Sequence, residues 1–252
     1  MSDALMAITE DHDRLSQIET AWTIIFHAHS ATLSDRHDAQ QQMIARYGKA
    51  IQRYLFGAFR DEAAAEETFQ EFVIRFLRGD YGSAHPEKGC FRGFLKVVLS
   101  RLVADHYRKL SRRRESSLDT QTLGADDGDE QSPEFLEIWR DELLTQTWHR
   151  LAEEEKQSGK PWMTVLRLRV EKPHWRSHEL AEELAAEIGK AVTANRLRVL
   201  LHRSRGKFAN HLIDVVAESL GSSSLEDVED ELAEIRLLQY CQSVLEQRKA
   251  TV

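Results

Sequence analysis

The chain has 252 residues, of which 41% are hydrophobic, so it can build one large domain or two small ones. Its formal net charge of −8 argues against a protein that coats DNA nonspecifically. No apolar stretch of the sequence is long enough to span a bilayer. The two cysteines, Cys90 and Cys241, stand far apart and outside any CxxC or Cys/His cluster. We therefore expect a reduced, cytoplasmic protein without a structural metal.

Apolar residues at helical spacing, with few glycines, prolines or alternating β-branched runs, predict an all-α protein. In the N-terminal half we place helices at residues 18–29, 38–59, 61–77 and 91–113, and a glycine-containing loop at 79–89. The carboxylate of Asp61 is well placed to cap the third of these helices, because a side-chain oxygen there accepts backbone N–H groups of the first turn.

The third predicted helix has two unlike faces. Its apolar face is formed by Ala65, Phe69, Phe72, Val73 and Phe76. The opposite face is formed by Glu62, Glu66, Glu67, Gln70 and Glu71. This acidic face is either a solvated surface or a docking surface for a protein partner with basic and polar groups.

The fourth predicted helix begins apolar and ends cationic, with RLVADHYRKLSRRR at residues 101–114. At 100° per residue, Arg101, Asp105, Arg108 and Arg112 fall close to one line. A helix that begins in a core and emerges with a cationic stripe suits a nucleic-acid backbone. The alternative is a solvated helix end whose basic residues favour the helix dipole.

Residues 115–133 are rich in Ser, Asp, Gly and Thr and have little to bury, which predicts a flexible linker between two domains. Beyond it we expect helices at residues 134–155, 162–170, 178–188 and 193–216. Ser177 and Thr193 are candidate N-caps, and Gly189 is a candidate helix stop. After a hinge-like cluster at 221–224, residues 225–249 predict one amphipathic helix.

Residues 177–205 have the pattern of a helix-turn-helix. Three apolar residues of the first helix, Leu180, Leu184 and Ile188, are expected to pack against Leu197, Leu200 and Leu201 of the second. The second helix then fits the major groove of DNA and exposes Asn195, Arg196, Arg198, His202, Arg203 and Arg205. Arginine can bind guanine, and the remaining cations can bind phosphates. The alternative is a plain helical hairpin.

Signals of catalysis are weak. The segment HWRSHE holds His174 and His178 one helical turn apart, but it lacks the HExxH pattern of zinc proteases. No GxSxG, Walker or GxGxxG motif is present, and the carboxylates lie in long runs rather than as an isolated pair in an apolar setting. We therefore expect no catalytic residue, no metal site and no cofactor.

Taken in order, these segments resemble the extracytoplasmic-function sigma factors of bacterial RNA polymerase. The resemblance is carried by RYGKAIQRYL at residues 46–55, DEAAAEETFQEFVIRFL at 61–77, FRGFLKVVLSRLVADHYRK at 91–109, the acidic linker and the basic helix-turn-helix. It implies an N-terminal extension at 1–39, sigma region 2 at 40–114, the linker at 115–133, sigma region 4 at 134–220 and a C-terminal helical extension at 221–252. Such a protein is not an enzyme but directs core polymerase to promoters and helps to melt them.

The resemblance also implies roles for particular side chains. Contacts with the clamp helices of the largest polymerase subunit are expected from Asp61, Glu66, Gln70, Glu71 and Phe72. Recognition and opening of the −10 promoter element are expected from Lys96, Arg101, Tyr107, Arg108, Lys109, Arg112 and Arg113. Recognition of the −35 element is expected from Thr193, Asn195, Arg196, Arg198, His202, Arg203, Arg205 and Lys207.

The expected partners are core RNA polymerase and promoter DNA, with an anti-sigma factor or the C-terminal tail as inhibitors. As a hypothesis, the tail packs on one domain through Leu225, Val228, Leu232 and Ile235 while its acidic residues mask the DNA-binding surface. Its alternative is a helix that completes the core of the second domain. Two other functions stay open: a helix-turn-helix regulator that binds DNA without polymerase, and a helical adaptor whose charged surfaces contact proteins alone.

Overall fold

The computed structural model describes residues 21–30, 33–82, 84–85, 89–115, 133–220 and 224–251. Every regular element in these ranges is an α-helix, which confirms the all-α prediction. The helices are α1 Ala21–Ser30, α2 Leu33–Phe59, α3 Glu62–Arg78, α4 Phe91–Glu115, α5 Pro133–Ser158, α6 Trp162–Glu171, α7 Ser177–Ile188, α8 Ala194–Leu220, α9 Leu225–Glu234 and α10 Leu238–Lys249. None of these helices is long and apolar enough to cross a membrane.

The described residues divide into two compact units. The N-terminal unit comprises the described residues up to Glu142 together with 217–220 and 224–227, and the C-terminal unit comprises Leu143–Val216 and 228–251. The division after Glu142 falls within α5, whereas the predicted linker at 115–133 lies almost entirely outside the described residues. The first turns of α5 therefore belong to the N-terminal unit, although the sequence assigns them to the second domain.

Aromatic packing explains why α5 begins in the N-terminal unit. Trp139 of α5 is 1% exposed and stacks on Tyr47 of α2, with ring centroids 5.6 Å apart. Phe91, the first residue of α4, lies 4.9 Å from Tyr47 and 6.0 Å from Trp139 between ring centroids. Burial raises the pKa of Tyr47, so its hydroxyl stays neutral in this core. These three rings join α2, α4 and α5.

Helix α3 has well-defined ends. Asp61 accepts hydrogen bonds from the backbone N–H groups of Ala63 and Ala64, at 2.8 and 3.2 Å, and thus caps the helix as the sequence predicts. Gly79 ends the helix with a φ of 90°, a left-handed conformation that glycine adopts without steric cost. Between these caps the buried side is formed by Ala65, Thr68, Phe72 and Phe76.

The C-terminal unit has its own core, formed by α5, α6, α7 and the first half of α8. Leu180 and Leu184 of α7 are buried in the same cluster as Leu197 and Leu201 of α8, and Ile188 and Leu200 pack against it. This confirms the packing predicted for the helix-turn-helix. Helix α7 begins at Ser177, one residue earlier than predicted, so Ser177 is helical and Arg176 holds the cap position. The cause is local, because Glu179 accepts a hydrogen bond from the backbone N–H of Arg176 at 2.6 Å.

The tail forms two helices, so the prediction of one continuous helix at 225–249 is wrong. Helix α9 ends where Arg236 takes a φ of 60° and Leu237 donates its N–H to the carbonyl of Leu232 at 2.8 Å. Ile235 and Leu237 are both buried. Two residues so spaced lie about 160° apart around a helix, so a break is needed to bury both in one core.

The tail is part of the core of the C-terminal unit. Cys241 is fully buried and burial raises the pKa of its thiol to about 12, so it stays protonated and inert at neutral pH. Arg248 of α10 is 7% exposed and bonds α8, donating to Asp214 Oδ1 at 2.8 Å and to Asn210 Oδ1 at 2.7 Å. Deleting the tail therefore opens this core. A test of charge masking by the tail requires reversal of its exposed acidic residues instead.

The Arg248 network predicts a large difference between two neighbouring residues of α10. Arg248→Ala leaves Asp214 without its buried cation, and we expect the free energy of unfolding to fall by about 3–5 kcal/mol. Lys249→Ala removes an ion pair with Glu229 in which both side chains are more than one-third exposed, and we expect a loss below about 1 kcal/mol. Urea denaturation followed by circular dichroism measures both; equal stability of the two variants contradicts the assigned role of Arg248.

Candidate nucleic-acid and protein interfaces

Helix α8 presents a cationic face at its N-terminal half. Asn195, Arg196, Arg198, His202, Arg203 and Arg205 are all exposed, as the sequence predicts, whereas Leu197, Leu201 and Ser204 are buried. At 100° per residue, Asn195 and His202 lie near the middle of the exposed face. Arg196 and Arg203 lie about 80° to one side of this middle line, and Arg198 and Arg205 about 80° to the other. The face thus has a largely uncharged centre between two cationic edges.

Local interactions set the start and orientation of α8. Thr193 caps the helix as predicted, since its Oγ1 accepts a hydrogen bond from the N–H of Arg196 at 3.2 Å. Gly189 ends α7 with a φ of 66°, and residues 189–193 form the turn. The two helices and this turn give the supersecondary arrangement of a helix-turn-helix. Thr193 is therefore placed as a cap, which positions the helix rather than extending its cationic face.

Lys207, one of the cations assigned to the DNA-contacting surface of α8, bonds a carboxylate of another helix. Its Nζ bonds Glu154 of α5 and lies 5.5 Å from the ring centroid of Trp162. Glu154 also contacts His211 Nε2 at 2.8 Å. Burial acts to raise the pKa of Glu154, but the hydrogen bonds from Lys207 and His211 outweigh it, so the pKa is lowered and the carboxylate stays charged. Lys207 thus ties α8 to α5, while its side chain remains 38% exposed, and its assignment to the DNA-contacting surface stays a prediction.

The same face also exposes an apolar residue that the sequence pattern does not predict there. Val199 is 45% exposed and lies one turn beyond Asn195 and one turn before His202. The residues predicted for this face are polar or charged, because apolar residues of an amphipathic helix are expected in the core. A helical projection of residues 195–205 places Val199 about 160° from Leu197, opposite the core, so the signal was present.

The second cationic surface is the end of α4. Arg101, Arg108, Lys109 and Arg112 are exposed, while Leu95, Leu99 and Leu102 are almost fully buried. The helix therefore begins in the core of the N-terminal unit and ends with exposed basic side chains, as the sequence predicts. Arg113 belongs to α4, but its side chain lies outside the described residues.

Two of the side chains assigned to this surface have other surroundings. Lys96 is 3% exposed, so it lies inside the N-terminal unit and its assignment to a DNA-contacting surface is wrong. It lies about 60° around α4 from Leu99 and 40° from Arg92, which are buried, so this side of the helix is covered by protein. Tyr107 is half-buried, with its ring 5.5 Å from that of Phe59 and its hydroxyl donating to the carbonyl of Ala58 at 3.5 Å.

A chain of ion pairs connects the cationic end of α4 to α3. Asp105 Oδ1 lies 2.8 Å from Arg108 Nη1, and Asp105 Oδ2 lies 3.5 Å from Arg75 Nη1. Arg75 in turn donates to Glu71 Oε1 at 2.8 Å. A phosphate that binds Arg108 must therefore compete with Asp105. Glu71 is half-buried and forms an ion pair with Arg75 of the same helix. It therefore belongs to this chain of ion pairs and is less accessible than the exposed residues of the acidic face.

The exposed face of α3 differs in one essential residue from the set assigned to it. Asp61, Glu66 and Gln70 are exposed, and Gln70 donates to Glu66 Oε1 at 3.0 Å. Phe72, by contrast, is 1% exposed and stacks on Phe76 and Tyr81, so its assignment to a surface contact is wrong. Residues 70 and 72 lie about 160° apart on a helix, so they cannot share a face.

Two exposed apolar residues complete this face instead. Ile74 is 44% and Leu77 48% exposed, and both lie within about 40° of Gln70 around α3. Ile74 and Leu77 therefore form an apolar strip beside the acidic side chains of α3.

The comparisons with known proteins leave the family of the chain open. No protein-family model matches it, and no curated protein or solved structure shows significant similarity to it. The geometry of the two units and the resemblance of the sequence are therefore the grounds for a functional assignment.

Phe72 and Gln70 provide a direct test of which side of α3 is core. We expect Phe72→Ala to lower the free energy of unfolding by about 3–5 kcal/mol, because it empties a packed aromatic site. Gln70→Ala removes an exposed side chain and should change stability by less than about 0.5 kcal/mol. Thermal and urea denaturation measure both changes. A Phe72→Ala variant that is as stable as Gln70→Ala disproves the buried placement.

Proposed function

We propose that this protein is a sigma factor that brings core RNA polymerase to promoters and helps to open them. Residues 40–114 act as the region that binds polymerase and the −10 element, and residues 134–220 carry the helix-turn-helix for the −35 element. The observation that carries the proposal is the pairing, on neighbouring helices of one unit, of an acidic–apolar face on α3 with a cationic end on α4. A second cationic helix, α8, follows in the other unit.

The proposed mechanism is differential binding and needs no catalytic residue. Opening a promoter unpairs and unstacks bases at a cost of a few kcal/mol. Exposed Arg101, Arg108, Lys109 and Arg112 on α4 stabilise the separated strand through its phosphates, so the complex favours open over closed DNA. Polymerase fixes the spacing of the two DNA-binding units, which raises the effective concentration of the second contact once the first has formed.

Transcription by purified core polymerase from genomic fragments tests the proposal. Addition of the protein should produce defined transcripts that core polymerase alone does not make. A stand-alone helix-turn-helix regulator instead binds an operator tightly without polymerase, usually as a dimer. A helical adaptor binds proteins and leaves transcript start sites unchanged. Either of these two results overturns the proposal.

The α3 face predicts which residues bind polymerase. Ile74→Ser together with Leu77→Ser removes the apolar strip while leaving the buried side intact, and we expect core-polymerase affinity to fall at least about tenfold, or about 1.4 kcal/mol. Val170→Ser, at a residue 68% exposed on α6, is the matched control and should leave affinity unchanged. Fluorescence anisotropy of labelled protein titrated with core polymerase measures each affinity. Wild-type affinity of the double variant refutes this interface.

Substitutions at the cationic end of α4 are predicted to affect promoter opening but not polymerase binding. Arg108→Glu together with Arg112→Glu places negative charge where the separated strand should lie, so we expect promoter opening to be lost while polymerase binding persists. Lys49→Glu together with Lys156→Glu changes the net charge equally at other exposed sites and is the control. Permanganate footprinting reports opening, and co-elution reports polymerase binding. Retained opening, or loss of polymerase binding in the α4 variant, contradicts the assigned role.

A further inference from the structure

The exposed face of α8 has an apolar side chain at its centre, and internal packing does not account for it. Val199 is 45% exposed and is flanked along the helix by the exposed Asn195 and His202. A β-branched residue loses side-chain freedom in a helix, and here only about half of its surface is buried in return. The core side of α8 is supplied by Leu197 and Leu201 instead.

The charges around Val199 identify the chemistry of what covers it. Arg196 and Arg203 form one edge of the face, Arg198 and Arg205 form the other, and all four are exposed. The two cationic edges lie on opposite sides of the helix axis, as the two phosphate backbones lie on opposite sides of a helix placed in the major groove. The charge pattern therefore favours double-stranded DNA as the occupant, with Val199 directed at the floor of the groove.

Gly206, two turns beyond Val199 on the same side of α8, also allows an external surface to approach the helix closely. Gly206 lies within about 20° of Val199 around the helix. Apart from its two chain neighbours and the adjacent backbone of α8, a Cβ built on Gly206 meets no described atom within 4 Å, so packing against other side chains does not require glycine there. Glycine within a helix is unfavourable compared with alanine, but it lets the helix backbone lie closer to an external surface.

We propose that Val199 is a specificity-determining residue that recognises a thymine through its C5-methyl group in the major groove. This inference rests on the proposed function only in taking DNA as the ligand. Valine has no side-chain donor or acceptor, so it cannot read the hydrogen-bonding groups of a base edge. The thymine methyl is the apolar group that the major groove presents, and small apolar side chains contact it. Asn195 and His202 provide the polar contacts on either side.

The experiment removes the methyl group from DNA and from protein separately. A randomised duplex library is selected with the full chain alone and with the chain bound to core polymerase. Each thymine of the selected sequence is then replaced singly by deoxyuridine, which lacks only the methyl. We expect one position at which this change weakens wild-type binding about threefold to fivefold, the effect of exposing one buried methyl group.

The matched protein variants complete the cycle. Val199→Ala should bind the thymine duplex more weakly by a similar factor and should be indifferent to deoxyuridine at that position. Alanine favours helix and the site is exposed, so the variant should fold, which circular dichroism checks. Val170→Ala, at the 68% exposed residue on α6, is the control and should keep the wild-type response to deoxyuridine.

The outcomes separate this inference from the proposed function. Methyl sensitivity that Val199→Ala abolishes supports the inference, even if the chain fails to bind core polymerase and the sigma-factor proposal falls. Methyl sensitivity that persists in Val199→Ala overturns the inference, as does a selected sequence with no methyl-sensitive position. Failure of the library to yield any preferred sequence, with or without polymerase, overturns it as well.

Discussion

Contact between the rings of Phe91, Tyr47 and Trp139 holds the first turn of α4 inside the N-terminal unit. Apolar burial continues along the helix to Leu102, which is 2% exposed, and beyond it the described side chains are half-buried or exposed. A rigid helix transmits this anchoring, because its backbone hydrogen bonds are internal to it. Exposed arginines at the far end can therefore be held in a defined direction without themselves contributing to the core. The same burial keeps α2 and the beginning of α5 in place.

Helix α8 is likewise anchored by buried contacts, in the C-terminal unit. Its first half packs on α7 through Leu197 and Leu201, and its second half is held by the tail through Arg248. Glu154 adds a third restraint by bonding Lys207 and His211. Burial of the Arg248–Asp214 pair costs desolvation, but its hydrogen bonds fix the helix geometrically. Helix α8, which carries four exposed arginines, is therefore fixed on its other sides.

Ion-paired cations of the two units differ in how far their side chains are exposed. Lys207, which pairs with Glu154 of another helix, is 38% exposed, whereas Arg108, which pairs with Asp105 of its own helix, is 66% exposed. An exposed pair is worth at most about 1 kcal/mol, so a phosphate can displace Asp105 at small cost. The protein as a whole is acidic, with a net charge of −8, which opposes approach to DNA at long range. Under the proposed function, the cationic surfaces therefore act best when polymerase brings them to the DNA.

The sequence by itself determined the helical class, the main helix positions and the cap at Asp61. It also placed the leucines of the helix-turn-helix correctly. These features depend on apolar periodicity and local hydrogen bonding, which involve residues close in the chain. Charge composition likewise indicated the two cationic helices.

Only the tertiary structure decided which charged or apolar residues reach the surface. Phe72 and Lys96 are buried, Ile74 and Val199 are exposed, and the tail breaks at Arg236. It also decided that α5 begins in the N-terminal unit, through the contact of Trp139 with Tyr47. Each of these outcomes depends on which side of a helix a distant segment covers, and local patterns carry little information about such long-range packing.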